Sequence, residues 1–437
     1  MNSELIMTLP GPESILRKQF PNGVTVLVHE NPWSSTAAVF GTLFAGSCLD
    51  IPEKRGTASF VSASLLSGTR SLDGSRISEY LESTGAELSF GCGPDTCQFR
   101  GNCLSEDLPR LLRLLKEILA EPSFPEPAFR SLKQQALAGY ETDPDGPEDP
   151  LVIRFRQALW LDEHPYGHMD PDPEEDISGI TRDDLYDFHS RFFGPKGLII
   201  ALSGGFRGQE IMDLCEEIFG SWEKTQEMPD VSGLFPPAVH HPLPVLSHRR
   251  IEGRKESSLL IGTFGPAAGD PDILSARIGN EILGGDSMLG RIGNSVRIGN
   301  GLAYSAFSSL ESRKNGGSWR VQAGVDPANL NKACKLICAE LRRFTEELPS
   351  QREVEEARTW YLGNLILAFR KNAGMASALH GLEYFQREPD FYRRLPERLS
   401  AVTPEKTLET ARKWIDPGAM VIITTGPEEN SIFISDD

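Results

Sequence analysis

At 437 residues, with 39% hydrophobic and 24% charged side chains, the chain has the composition of a soluble globular protein and is too long for one ordinary hydrophobic core. Its 44 Lys and Arg stand against 62 Asp and Glu, and a net charge of −18 argues against a phosphate backbone or an anionic membrane as partner. Seven cysteines without C-x-x-C spacing, and a start (MNSELIMTLPGPESILRK) without a cationic and then apolar run, predict reduced thiols in a cytoplasmic protein.

In chain order, VTVLVHE from Val24 alternates as a strand, and TAAVFGTLFAGS from Thr36 follows it across the turn-like NPWSS. GTASFVSASLLSGT, from Gly56, has Ala58, Val61, Leu65 and Leu66 at helical spacing, with Ser59, Ser62, Ala63 and Ser64 on its other face. CQFRGNC from Cys97 is a strand, in which Cys97 and Cys103 are expected to be half-buried thiols and no metal site. The leucines of SEDLPRLLRLLKEIL, from Ser105, then recur at helical spacing. In ISGITRDDLYDFHSRFFGPKGLIIALSGG, from Ile177, Thr181 caps a helix that ends at Gly-Pro before an apolar strand. The stretch from Glu223 to His248 holds five prolines and predicts an extended connector, with His240, His241 and His248 in a solvated linker.

The pattern then repeats at an offset of 222 residues. Thr403 matches Thr181, Pro417 matches Pro195, WRVQAGV from Trp319 matches CQFRGNC, and PANLNKACKLICAEL from Pro327 matches the leucine-rich helix. Two halves follow: a domain over 1–222, a linker over 223–248 and a domain over 249–437. Helices and hairpin-like strands in each half predict an α+β fold, each domain a mostly antiparallel sheet with helices packed on one face. The three RIGN copies, at Arg277, Arg291 and Arg297, lack the Lys-Ser/Thr and the G-x-G-x-x-G spacing of phosphate loops. In HPYGH, Pro165 and Gly167 place His164 and His168 in a turn rather than on one helical face.

NGVTVLV, DIPEKRGTASF, LLSGT, HPYG and ITRDDLYDFHSRFFGP, in this order, resemble landmarks of the insulinase-type, or pitrilysin-type, zinc peptidases, which include the mitochondrial processing peptidases. The resemblance covers nearly the whole chain and implies two mitochondrial-processing-peptidase-like domains. In active members the helix after the KRG turn carries H-x-x-E-H, whose histidines bind zinc and whose glutamate activates water. The matching positions here are Ser59, Ser62 and Ala63. A third ligand is implied about 76 residues beyond the second histidine, which reaches Gly139, with Glu141 the nearest carboxylate. A serine hydroxyl is a poor zinc ligand and alanine is none, so no cofactor is expected on this chain.

The second half keeps RIGNSVRIGNGLAYSAF, in which Arg297 and Tyr304 resemble the family's R-x6-Y pair. That pair implies contacts to the substrate backbone and to the developing oxyanion. Ligands lost and pair kept is the pattern of a noncatalytic subunit. The resemblance thus implies a heterodimer with a zinc-bearing H-x-x-E-H chain, acting on peptides and without metallopeptidase activity alone. The alternatives are a structural core-type subunit of an assembly and a peptide-binding homodimer.

Overall fold

The computed structural model describes residues 9–142, 150–160, 164–167, 175–224, 234–236, 244–285 and 290–427, except for the side chains of 140–142 and 150. The first sheet contains β1 (Leu16–Gln19), β2 (Thr25–Glu30), β3 (Thr36–Leu43), β4 (Glu87–Cys92), β5 (Cys97–Leu104) and β6 (Ile199–Gly204). Their order is β1-β2-β6-β3-β5-β4, with β2 and β6 parallel and every other pair antiparallel. The second contains β7 (Val245–Arg250), β8 (Ser257–Gly265), β9 (Ala303–Arg313), β10 (Gly316–Val325) and β11 (Val421–Gly426). Its order, β7-β11-β8-β10-β9, repeats that of the first sheet from β2 onward, again with one parallel pair, β7 with β11. The 222-residue offset thus carries through to strand position: β11 stands to β8 as β6 stands to β3.

Local chemistry sets the element ends. Thr181 accepts the Asp184 N–H, and the Asp184 carboxylate in turn accepts the Thr181 N–H at 2.7 Å, a capping box; Thr403 accepts the Lys406 N–H in the second copy. The helix Leu108–Ala120 turns Leu108, Leu111, Leu112, Leu115, Ile118 and Leu119 into the core of the first sheet, where all six are fully buried. Each such leucine or isoleucine contributes roughly 2 kcal/mol of apolar burial. Among the described residues no helix is long and apolar enough to cross a membrane.

Two features depart from the simple two-half picture. The proline-rich connector ends as a paired strand rather than a solvated linker: Val245–Arg250 pairs with β11, and the His248 imidazole hydrogen-bonds the Thr424 hydroxyl at 2.8 Å. His240 and His241 lie outside the described residues. The two compact units are also discontinuous in sequence. One gathers the described residues of Met1–Pro147, Met169–Leu234 and Leu365–Arg394; the other gathers those of Glu148–His168, Phe235–Asn364 and Leu395–Asp437.

The reason is that a sheet has two faces. In the first unit one face is covered by local helices, and the other by Asn372–Tyr384 from the second half of the chain. There His380 meets the Phe40 ring edge-on at 4.8 Å and the Thr42 hydroxyl at 2.8 Å, while Asn372 donates to Ser34 Oγ at 2.9 Å and to the Thr36 carbonyl at 2.8 Å. In the second unit the corresponding helix is Pro150–Leu159 from the first half. Its Leu151, Phe155 and Leu159, followed by Trp160, pack on Leu260, Phe264, Val421 and Ile423.

His380 and His189 are both buried, and burial pushes each imidazole down to about 4. The unfolded chain, titrating near 6.5, binds more protons between these two values, so stability is full above about pH 6.5 and falls as the pH drops toward 4. The expected loss is on the order of 3 kcal/mol per imidazole across that window. Urea unfolding of the parent and of His380→Gln at pH 7.5 and pH 5 checks this: the variant is expected to lose less stability on acidification. Equal losses would remove His380 as a cause.

Candidate functional site

The helix Thr57–Ser64 begins where Gly56 takes a left-handed conformation, φ 94°, and where Asp50 receives two backbone donors. Its Oδ2 accepts the Gly56 N–H and its Oδ1 the Ala58 N–H, both at 2.8 Å, which satisfies donors that a helix start leaves open. Burial pushes the Asp50 carboxyl up to about 7 against the pull of these two bonds. Lys54, one turn upstream, pairs with Asp184, and the Thr57 hydroxyl donates to the Lys54 carbonyl at 2.7 Å. Ala58, Val61 and Leu65 are fully buried, so the apolar spacing read from sequence is the face turned into the core.

The three motif positions divide between surface and interior. Ser59 and Ala63, one turn apart, are exposed, while Ser62 is buried and donates to Cys97 Sγ at 3.3 Å. Cys97 stands directly opposite Cys92 in the β4–β5 register. Burial pushes the Cys97 thiol up to about 12; burial and the Asp50 charge raise Cys92 as well, with a bond from Ser59 acting the other way. At neutral pH these are thiols. Gly139 lies on the helix Glu126–Thr142, and a Cβ added there would meet open space. The side chain of Glu141 lies outside the described residues.

Two hydroxyls, a methyl and a glycine do not fit a zinc ion, which takes imidazole, thiolate or carboxylate donors. Among the described residues no group of three or more His, Cys, Asp and Glu is placed to hold a metal. His164 is a core residue: its Nδ1 accepts the Tyr166 N–H at 3.1 Å, its ring lies 4.3 Å from that of Trp160, and burial pushes it down to about 4. His168 lies outside the described residues.

In the second unit Arg297 sits half-buried in the π-helical turn Gly293–Ile298, and Tyr304 is the second residue of β9. The segment between them is clasped from below. Val296 and Leu302 are buried, the Leu302 N–H donates to the Val296 carbonyl at 3.0 Å, and Gly301, with φ 62°, donates to the Arg297 carbonyl at 2.9 Å. In the β9–β10 ladder Gly324 faces Ser305 and Val325 faces Ala303, so Tyr304 is the extra residue of a β-bulge. A bulge re-aims a side chain, and this tyrosine is 71% exposed on the edge strand of its sheet. The other RIGN arginines are engaged in packing: Arg291 makes a two-pronged bond to Glu353 at 2.8 and 3.1 Å, and Arg277 lies over the Tyr361 ring. Asp50 and the Cys92–Cys97 pair escaped sequence reasoning. An Asp six residues before a helix-opening glycine is a signal that would have found the first; no local signal marks the second.

The insulinase (peptidase family M16) model matches residues 25–160, and the peptidase M16 inactive-domain model matches residues 179–360. An uncharacterized zinc protease of Bacillus subtilis is 23% identical over 399 residues, covering 91% of this chain and 95% of that protein. A probable mitochondrial-processing peptidase subunit beta of Schizosaccharomyces pombe is 24% identical over 367 residues, covering 81% and 79%. The crystal structure of a peptidase M16 inactive domain from Pseudomonas fluorescens superposes with a TM-score of 0.86 at 21% identity, covering 95% of this chain and 98% of that one.

Proposed function

Since the chain belongs to the insulinase, or M16, peptidase family, we propose that it is the noncatalytic subunit of a heterodimeric zinc peptidase acting on peptides. The observation that carries this reading is the contrast within one chain. Ser59, Ser62 and Ala63 offer zinc no imidazole, thiolate or carboxylate and offer water no general base, whereas Tyr304 is held at a bulge with its phenol outward, beside the clasped turn of Arg297. The partner is a chain with an intact H-x-x-E-H helix and supplies the metal.

The role of this chain is to present donors. Arg297 brings a permanent cation with several N–H groups, and Tyr304 a hydroxyl, and both act on a peptide carbonyl as charge develops on its oxygen. Extended peptides suit such a site because they add to a sheet edge through main-chain hydrogen bonds. The test is to purify the chain alone and together with an H-x-x-E-H chain of the same organism. The expected result is a one-to-one complex with chelator-sensitive peptide cleavage and with zinc, and neither property in this chain alone. Stoichiometric zinc and cleavage in the isolated chain would overturn the assignment.

A further inference from the structure

The helix Leu330–Glu346 places Cys334, Cys338 and Arg342 one turn apart in a single row. Such a row drifts about 40° round the axis at each turn, and here it climbs out of the core. Cys334 is fully buried, Cys338 is half-buried and Arg342 is exposed. Lys335, also exposed, stands one turn before Cys338. Glu340, the nearest carboxylate in the helix sequence, lies on the opposite side of the helix and pairs with Arg343 at 3.5 Å.

This row gives Cys338 what the other six thiols lack. A thiol reacts as the thiolate, where a donor or a cation stabilises the anion and a reagent can reach it. The Cys334 thiol first, and then the Arg342 guanidinium, hold Cys338 below the ordinary thiol range against the upward push of burial. Cys334, the donor of the pair, is moved up in turn. Cys97, Cys103 and Cys215 are buried, which pushes each up to about 12. Cys48 and Cys92 are half-buried like Cys338, but burial and then carboxylate charge, that of Asp50 in both cases, raise them.

We propose that Cys338 is a site of reversible oxidation by hydroperoxides, halted at the sulfenic acid, with Cys334 and Arg342 as positioning residues. The Cys338 thiolate attacks one peroxide oxygen and a sulfur–oxygen bond forms. The oxygen–oxygen bond breaks, and hydroxide or alkoxide leaves with the electron pair and takes a proton from water, so sulfur is oxidised and the peroxide reduced. A disulfide does not follow in the intact helix, because side chains one turn apart keep their Cβ atoms about 5–6 Å apart and a disulfide needs about 3.5–4.5 Å. Small thiols restore the site: one condenses with the sulfenic acid, releasing water and leaving a mixed disulfide, and a second releases the Cys338 thiol. None of this depends on a peptidase partner.

The reduced full chain, treated at pH 7 with hydrogen peroxide and the sulfenic-acid trap dimedone and then digested for mass spectrometry, tests the proposal. The adduct is expected on Cys338 about tenfold or more faster than on any other cysteine, the gain in thiolate from about one pKa unit together with access. Arg342→Gln, at an exposed position, is expected to slow that labelling about twofold or more and to move its pH profile upward, and Arg342→Lys to restore both. Glutathione given after the peroxide, in place of dimedone, is expected to return the parental mass once excess thiol has acted. Absence of an adduct on Cys338, or an equal rate at another cysteine, would overturn the proposal. So would a parental rate and pH profile in Arg342→Gln, or an oxidised mass at Cys338 that glutathione does not reverse.

Discussion

Replacing Arg297 by alanine, in the complex with an H-x-x-E-H chain, is expected to lower the rate of peptide cleavage about a hundredfold or more, the usual cost of removing one donor to a developing oxyanion. The loss is expected mainly in kcat, because the carbonyl oxygen acquires its charge in the transition state and the guanidinium gains most there. Tyr304→Phe removes one neutral donor and keeps the ring, so its effect is expected to be smaller and in the same direction. Arg297 is half-buried in a turn pinned by Val296 and Leu302, and Tyr304 is 71% exposed, so neither change disturbs the core. Complex formation and zinc content should therefore match the parent, which separates a catalytic contact from a structural one. A parental rate in Arg297→Ala would leave the chain as a scaffold.

A fragment cut at the connector, 244–437, is expected not to fold by itself. It contains β7 to β11 but lacks the helix Pro150–Leu159 and Trp160. Leu260, Phe264, Val421 and Ile423, all at most 3% exposed in the full chain, would then face water. At about 1.5–3 kcal/mol for each side chain, uncovering four of them costs on the order of 6–12 kcal/mol, as much as the whole stability of a typical domain. The fragment 1–222 faces the converse loss, since it lacks Asn372–Tyr384, whose Ala376 and Leu379 are fully buried. Circular dichroism melts and binding of a hydrophobic dye are expected to report loose, dye-binding states for each fragment, and a cooperative melt when the two are expressed together. A cooperative melt of 244–437 alone, at the temperature of the full chain, would show that the donated helix is dispensable.

Much was legible in the residues themselves. The 222-residue repeat, the Thr181 and Thr403 caps and the strands after Pro195 and Pro417 rest on hydrophobic period and turn chemistry, which act over a few residues and can be read from them. The unfitness of Ser59, Ser62 and Ala63 for zinc is equally local, because an absent imidazole needs no coordinates to be noticed. Tertiary structure alone decided which helix covers the second face of each sheet, since an amphipathic helix advertises an apolar stripe but not the sheet it will meet. It alone drew Val245–Arg250 out of the connector as a strand beside β11, turned Tyr304 outward at a bulge and placed the Ser62 hydroxyl against the Cys97 thiol. Those outcomes depend on ladder register and on burial between segments far apart in the chain, and neither is encoded in the spacing of neighbouring side chains.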